Sequence, residues 1–340
     1  MLQVHGHAGA VRMLESALRG DRLHHAYLFA GPAHVGKTTL AMQVAQAVNC
    51  LGPGEPPCGE CQGCLRVASG AHADVLEFAV DPEADEGPTT VIGIEDITKV
   101  LIPSAHLCPY EGRTRVYVIQ GAEHLSQDAA NALLKVLEEP PPDVLMLLLT
   151  EDEESVLATV RSRCQTIQLN PMPIGEVATL LHEERRVPEN QALIIARLSH
   201  GCLGWAIEAV EDAAVLAAVH QRLERIADAV DGGLEARFAY ADELARRFQR
   251  DRAAGRGELF QWLRWVRDML LVQQGQGSKI TNLAWRETIE RQAKATSPAQ
   301  TVGWLRLIGD TLEALERNAN PRLALEVLML EAPSMDPAPA

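Results

Sequence analysis

Gly31-Pro32-Ala33-His34-Val35-Gly36-Lys37-Thr38 fits the pattern G-x-x-x-x-G-K-[ST], and the segments on either side give the match its context. Before it runs the apolar stretch Ala26-Tyr27-Leu28-Phe29-Ala30; after it, Thr39-Leu40-Ala41-Met42-Gln43-Val44-Ala45 has helical patterning. A strand, a glycine-bearing turn and a helix in that order make a phosphate-binding loop. The glycines let backbone N–H groups curl around phosphate oxygens. Lys37 can reach the terminal phosphates, and the Thr38 hydroxyl can ligate Mg²⁺. Gly31, Gly36, Lys37, Thr38 and Thr39 are the candidate nucleotide contacts, for ATP or ADP with magnesium.

Hydrolysis requires more. In phosphate-loop ATPases a later strand ends in an Asp that holds Mg²⁺, and in many families a catalytic acid follows it. Here the strand Arg115-Val116-Tyr117-Val118-Ile119 runs into Gln120-Gly121-Ala122-Glu123. Gln120 can hydrogen-bond a magnesium-bound water but brings no charge, and Gly121 has no side chain to orient or deprotonate water. Losing a general base costs about 10²–10⁴ in rate. A site that binds nucleotide with little intrinsic ATPase activity is expected. Glu123 is the candidate substitute catalyst; its plainer reading is a solvated residue opening the next helix.

Four of the seven cysteines cluster as C-x7-C-x2-C-x2-C: Cys50, Cys58, Cys61 and Cys64. A C-x2-C pair sets two thiolates on one tight turn, and four thiolates close a tetrahedral zinc site that is structural, with no open position. The turn-rich segment 51–57 lets Cys50 fold back to the other three. A redox role for Cys58/Cys61 or Cys61/Cys64 is the competing reading. Cys108, Cys164 and Cys202 stand alone and are expected to be small buried hydrophobes.

The 340 residues suffice for two or three domains. Hydrophobic residues at 47% and charged residues at 23% describe a globular chain rather than a disordered one. No apolar run reaches the ~18 residues of a membrane span. The first residues, Met1-Leu2-Gln3-Val4-His5-Gly6, show neither a basic nor an apolar signal segment, so a cytoplasmic chain without membrane contact is expected. A net charge of −15 argues against autonomous DNA binding, which rests on phosphate neutralisation.

Residues 1–170 alternate apolar runs with helical patterns. Strands are predicted over 26–30, 75–80, 116–119, 144–150 and 165–169, and helices over 39–49, 94–102, 127–139 and 153–162. Strands hydrophobic along their whole length belong to a parallel sheet covered on both faces, an α/β fold interrupted by the cysteine module at 50–64. In the helix 127–139, Ala132, Leu133, Val136 and Leu137 should face the sheet, with Lys135 exposed. After Asn170-Pro171-Met172-Pro173 the strand signal ends. Short helices are predicted over 174–184, 189–199 and 204–210. Longer ones run to about 331, broken at Asp231-Gly232-Gly233, Gly255-Arg256-Gly257, Gly275-Gln276-Gly277 and Ser297-Pro298, and a disordered tail is expected over 333–340. Trp262 and Trp265 are expected in a core or a subunit contact, and His24 and His25 in packing or interface roles.

Several stretches resemble the bacterial sliding-clamp loader subunits, AAA+ proteins of the DNA polymerase III holoenzyme. They include Arg22-Leu23-His24-His25-Ala26-Tyr27-Leu28-Phe29-Ala30-Gly31 with its loop, Asn49-Cys50 with three following cysteines, and Pro109-Tyr110-Glu111-Gly112. They continue with Ala129-Ala130-Asn131-Ala132-Leu133-Leu134-Lys135-Val136-Leu137-Glu138-Glu139-Pro140-Pro141, Ser162-Arg163-Cys164 and Asn320-Pro321-Arg322-Leu323-Ala324-Leu325-Glu326. The resemblance implies an AAA+ nucleotide-binding domain (1–170), a helical lid (171–210) and an all-α collar (211–332). The motor subunits of that family, tau/gamma, carry an acidic pair where this chain has Gln120-Gly121 and an arginine at the position of Gly204. Both departures point to the delta-prime type, a stator; the alternative is an active tau/gamma-like ATPase. Resemblance also implies that Arg163 reaches into a neighbouring subunit's ATP site as an arginine finger, and that Thr150 stands where a γ-phosphate sensor sits. The implied partners are the tau/gamma motors, the delta subunit, the sliding clamp and, through the assembly, primed DNA.

Overall fold

Five short segments become the strands of one parallel sheet, the inner ones mostly apolar: β1 (Ala26–Ala30), β2 (Val75–Phe78), β3 (Arg115–Gln120), β4 (Val144–Thr150) and β5 (Gln165–Gln168). Their spatial order is β2-β3-β4-β1-β5, and every neighbouring pair is parallel. The computed structural model describes residues 2–20, 22–80 and 91–333. These form two units, Met1–Pro173 with His200–Trp205, and Ile174–Ser199 with Ala206–Ala340.

Alternation along the strands sends side chains to two separate cores. Ala26, Leu28, Tyr117, Ile119, Met146 and Leu148 join one; Tyr27, Phe29, Val116, Val118, Leu145 and Leu147 join the other. The helices of this unit are α1 (Ala8–Arg19), α2 (Lys37–Val48), α3 (Gln62–Ala68), α4 (Ile102–Ala105), α5 (Gln127–Glu138) and α6 (Ala158–Arg161). Helix α5 starts where the Ser126 hydroxyl accepts the Ala129 N–H, and it buries Ala132, Leu133, Val136 and Leu137 while Lys135 stays exposed, as its spacing predicts. This sheet order around a phosphate loop is the AAA+ core.

One expected helix is shorter than predicted, and one helix is additional. The helix over 153–162 is a 3₁₀ turn (Glu153–Ser155) followed by α6, because Val156 and Leu157 adopt extended backbone between them. Helix α1 is additional to the predicted elements, and its Val11, Leu14 and Leu18 recur at helical spacing. The helix expected over 94–102 is present, with a π-helical stretch (Asp96–Leu101) that continues into α4.

One buried carboxylate ties the loop before β3 to the sheet. Asp74 is fully buried and accepts N–H groups from Tyr110 (2.7 Å), Glu111 (2.8 Å) and Gly112 (2.8 Å), and an Arg115 guanidinium nitrogen at 2.9 Å. Burial alone would raise its pKa. The three backbone donors and Arg115 outweigh that and hold it down to about 2. Since the folded pKa lies below the unfolded one, the carboxylate stabilises the fold above pH ~4, and the contribution, about 2 kcal/mol, is lost as pH falls through 2. Asp74→Asn is expected to cost roughly 3 kcal/mol at neutral pH, leaving Arg115 buried without its counter-charge. Stability measured by urea unfolding should then vary less between pH 4 and 2 than it does for the unaltered chain.

The second unit is helical: α7 (Ile174–Arg185), α8 (Glu189–Leu198), α9 (Leu203–Glu211, whose first three residues cluster with the first unit), α10 (Ala213–Asp231), α11 (Leu234–Arg250), α12 (Arg252–Gln273), α13 (Arg286–Ala295), α14 (Pro298–Glu316) and α15 (Pro321–Leu330). Predicted breaks at 231–233, 275–277 and 297–298 are present. The one at 255–257 is not, since α12 runs through it. The Asp251 carboxylate caps α12, and Gly255 is a packing residue: a Cβ there would lie 2.5 Å from the Phe248 ring. Trp262 and Trp265 are core residues, both fully buried. Trp262 stands edge-on to Trp304 at 5.4 Å and donates to the Tyr240 hydroxyl, while Trp265 donates to Gln292. The tail expected to be disordered lies, beyond Pro333, outside the described residues.

Candidate functional site

The phosphate loop leaves the carboxyl end of β1 and turns into α2, the place where open parallel sheets bind ligands. Gly31 must be glycine: φ is +155°, and a Cβ would sit 2.2 Å from the Leu169 carbonyl oxygen. Gly36, at φ +110°, lets the chain enter α2. Two contacts brace the loop from outside. His7 Nε2–H donates to Val35 O at 2.8 Å, and the Gly204 N–H donates to His34 O at 2.9 Å. A Cβ on Gly204 would approach His34 O to 2.7 Å, so the missing side chain lets this backbone pack directly on the loop.

Gly36, Lys37, Thr38, Thr39, Gln120, Glu123 and Thr150 line one cleft of about 440 Å³, within the usual size of small-molecule sites. Lys37 Nζ donates to Gly31 O (2.6 Å) and Pro32 O (2.8 Å), loop carbonyls that a phosphate would compete with. Burial pulls its pKa below the ordinary lysine value, while the carboxylates of Glu151 and Glu123 pull the other way. Thr150, 1% exposed, donates its hydroxyl to Asp152 O and accepts the Asp152 N–H, fastening the turn after β4.

The end of β3 has the chemistry that the sequence predicts. The Gln120 amide donates to Glu77 Oε2 at 2.8 Å. Gly121 is left-handed at φ +72°, and a Cβ there would lie 2.7 Å from the His124 ring, so an acid at this position would be strained as well as crowded. Glu123 lies in a 3₁₀ turn (Ala122–His124) and is half-buried. Its Oε1 accepts the Glu151 N–H at 3.1 Å, and its Oε2 is buried without a partner. Spacing alone gave no sign of this, because the contact crosses from β3 to the end of β4.

Cys50, Cys58, Cys61 and Cys64 converge with their Sγ atoms all within 4.8 Å of one another. Zn–S bonds of 2.3 Å at tetrahedral angles place sulfurs about 3.8 Å apart. Cys58 Sγ and Cys64 Sγ lie 3.9 Å apart, and no pair forms a disulfide. The Sγ atoms also accept backbone N–H groups in series: Cys58 N–H to Cys50, Cys61 N–H to Cys58 and Cys64 N–H to Cys61. Such donors stabilise thiolates; the Cys64 N–H is the main reason the Cys61 thiol is lowered to about 6, whereas burial raises Cys64 to about 12. The cluster fits zinc. Of the isolated cysteines, Cys202 is buried, Cys164 is half-buried and Cys108 is exposed, contrary to expectation, because it follows the end of α4 in an open loop.

Arg163 lies at the other edge of the sheet. Register pairs Tyr27 with Gln165, so Arg163 stands level with His25, before β1 begins. At about 3.3 Å per residue, the loop at Gly31 is roughly 20 Å away, beyond the reach of any side chain. Arg163 is half-buried; it donates to Thr159 O at 2.9 Å and pairs with Glu138 at 2.6 Å. The His24 and His25 rings lie 4.2 Å apart beside it rather than on opposite faces, since both precede the strand whose alternation would separate them. His25 Nε2–H donates to Leu137 O, and burial lowers its pKa.

Residues 6–173 match the sequence family described as DNA polymerase III, delta subunit. The delta' subunit of Bacillus subtilis DNA polymerase III is 26% identical over 322 residues, 94% of each chain. That of Pseudomonas aeruginosa is 37% identical over 187 residues, 54% of this chain and 55% of the other. The tau subunit of Escherichia coli is 34% identical over 214 residues, 61% of this chain but 32% of tau. The chain spans between 30% and 54% of the length of the tau, tau/gamma and gamma relatives that it matches. The alignment with the Bacillus subtilis delta' subunit takes in both the phosphate loop and the four-cysteine module. The chain is similar to the delta' subunits of bacterial DNA polymerase III, over 94% of its length in the case of Bacillus subtilis.

Proposed function

We propose that this chain is a stator of the clamp loader: it holds nucleotide with little or no turnover and lends Arg163 to the ATP site of a neighbouring tau/gamma motor. The observation that carries this reading is that Arg163 lies at the amino end of the strands, roughly 20 Å from the chain's own loop, out of reach of its own site. A guanidinium there neutralises charge developing on the transferred phosphoryl group. Its ion pair with Glu138 is partly exposed, and such pairs are worth only about 0–1 kcal/mol, so a neighbour's nucleotide can compete for the arginine.

Within the chain's own cleft, Lys37 and Thr38 bind phosphates and magnesium, and the neutral Gln120-Gly121 end of β3 leaves water unactivated. The four cysteines hold a structural zinc. The lid, 171–210, and the collar, 211–332, join this chain to the motors and the delta subunit in the cytoplasm. ATP binding in the motors then opens the sliding clamp for loading onto primed DNA. No helix among the described residues is long and apolar enough to cross a membrane.

Glu123, tied at the end of β4 with one oxygen free, favours a second reading, a tau/gamma-like motor with a displaced acid. Steady-state ATP turnover by the isolated chain separates the two. The stator reading requires turnover indistinguishable from that of Lys37→Ala, whereas Lys37-dependent multiple turnover would favour the motor.

A further inference from the structure

Against a net charge of −15, arginines gather on one face of the helical unit. A cleft of about 630 Å³ lies among α10, α11 and the start of α12, and Arg222, Arg246, Arg247 and Arg250 line it. On α11 the positions 243, 246, 247 and 250 recur at helical spacing and share one face, to which Arg222 comes from α10. None of the four is shut away: Arg246 and Arg250 are exposed, Arg222 and Arg247 half-buried. Carboxylates account for some of these charges and not for others. Arg247 pairs with the buried Glu258, which also meets Arg225, and both arginines reach Glu243 on the cleft wall. Arg246 pairs with Asp242 across one exposed helical turn, a weak contact, and Asp242 also meets Arg322 at 3.8 Å. Asp251, the other acid of the lining, accepts the Ala254 N–H at 2.9 Å as the cap of α12. Among the described residues Arg222 and Arg250 form no ion pair; Arg222 Nε donates only to Ala218 O, at 3.3 Å.

We infer that this groove is a contact for the phosphates of a nucleic-acid strand, with Arg222, Arg246 and Arg250 as the donors. The lining favours phosphate over the carboxylates of a peptide. Besides its charged groups it holds only Ala239 and Ala254, whereas a protein partner is anchored mainly by large apolar side chains seated in pockets. Guanidinium forks, with no lysine among them, match phosphate oxygens two at a time. Arg246 and Arg250 stand one helical turn apart, about 5–6 Å between Cβ atoms, and so reach successive phosphates of one strand. The contact works through charge and is independent of sequence. It is weak by itself, since the acidic remainder of the chain repels the same strand. Neither Arg163 nor the phosphate loop takes part in it.

The test is fluorescence anisotropy of a labelled oligonucleotide, single-stranded in one arm and duplex in the other, titrated with the full chain between about 50 and 200 mM salt. Arg222→Ala combined with Arg250→Ala should weaken binding roughly tenfold. It should also flatten the slope of log K against log salt, by about 0.7 per arginine on a single strand or about 0.9 on a duplex. The arm with the larger loss is the form of nucleic acid that the groove takes. Lysine at both positions keeps the charge and should restore the slope, with affinity still below that of the unaltered chain. Arg19→Ala combined with Arg317→Ala removes the same charge from exposed positions outside the lining and should change little. An equal loss in that control overturns the inference, as does an unchanged slope in the Arg222 and Arg250 double variant. Absence of binding by the unaltered chain at the lowest salt overturns it too. So does displacement by polyglutamate as effective as displacement by unlabelled oligonucleotide, which would make the groove a protein contact.

Discussion

Replacing Arg163 with alanine is expected to slow ATP hydrolysis at the motor site that it reaches by about 10³-fold or more, with this chain's own nucleotide binding unchanged. The size follows from where the charge sits. An arginine finger meets negative charge that grows as the phosphoryl group transfers, so its loss falls on the transition state rather than on ATP affinity. Arg163→Lys should rescue little, because an ammonium lacks the planar fork that engages two oxygens together. The readout is DNA- and clamp-stimulated hydrolysis by the reconstituted loader, with single-turnover rates to isolate the affected site. In the structure Arg163 pairs with Glu138 and leans on Thr159 O; if those contacts were its whole purpose, Arg163→Ala would lower stability slightly and leave hydrolysis untouched.

The second large effect concerns the cysteines. Cys64→Ser, or removal of metal by a strong chelator, is expected to abolish a stoichiometry of one zinc per chain and to lower the melting temperature by about 10 °C, as loss of several kcal/mol would in a unit of this size. Cys64 is fully buried, so an unmet serine hydroxyl would add its own penalty. The damage should spread beyond 50–64. Asn49, buried beside Cys50, accepts the N–H groups of Arg113 and Thr114 through Oδ1, and Arg66 on α3 pairs with Glu111 at 2.9 Å. The module therefore abuts the loop that Asp74 organises. Because burial holds the Cys64 thiol at about 12, zinc uptake at neutral pH must displace a proton, and proton release on metal addition checks this directly. A chain that holds far less than one zinc and melts unchanged with chelator would contradict a structural metal.

Much of the first unit could be read from the chain because its signals are local. The strands β1 and β4 are continuous buried runs, the loop motif is contiguous, and the cysteines fall within 15 residues. Glycine misled where its reason was tertiary. At Gly255 it permits close packing against Phe248 inside a helix, whereas the sequence reads as a break. The site was legible in its parts and not in its relations. Gln120-Gly121 announces the missing acids, but no spacing rule shows that Glu123 bends back to the end of β4 or that Gly204 braces His34. The Arg163–Glu138 pair likewise joins residues 25 apart whose meeting depends on the packing of α5 beside the start of β5.

The central claim is that this chain gives an arginine to a neighbour and does not work its own site. Its most direct test is stimulated ATP hydrolysis by the reconstituted loader carrying either Arg163→Ala or Lys37→Ala in this subunit alone. The stator account predicts a marked loss with Arg163→Ala and a rate near that of the unaltered assembly with Lys37→Ala. A larger loss with Lys37→Ala would contradict it, showing that the cleft beside Gln120-Gly121 is a working motor.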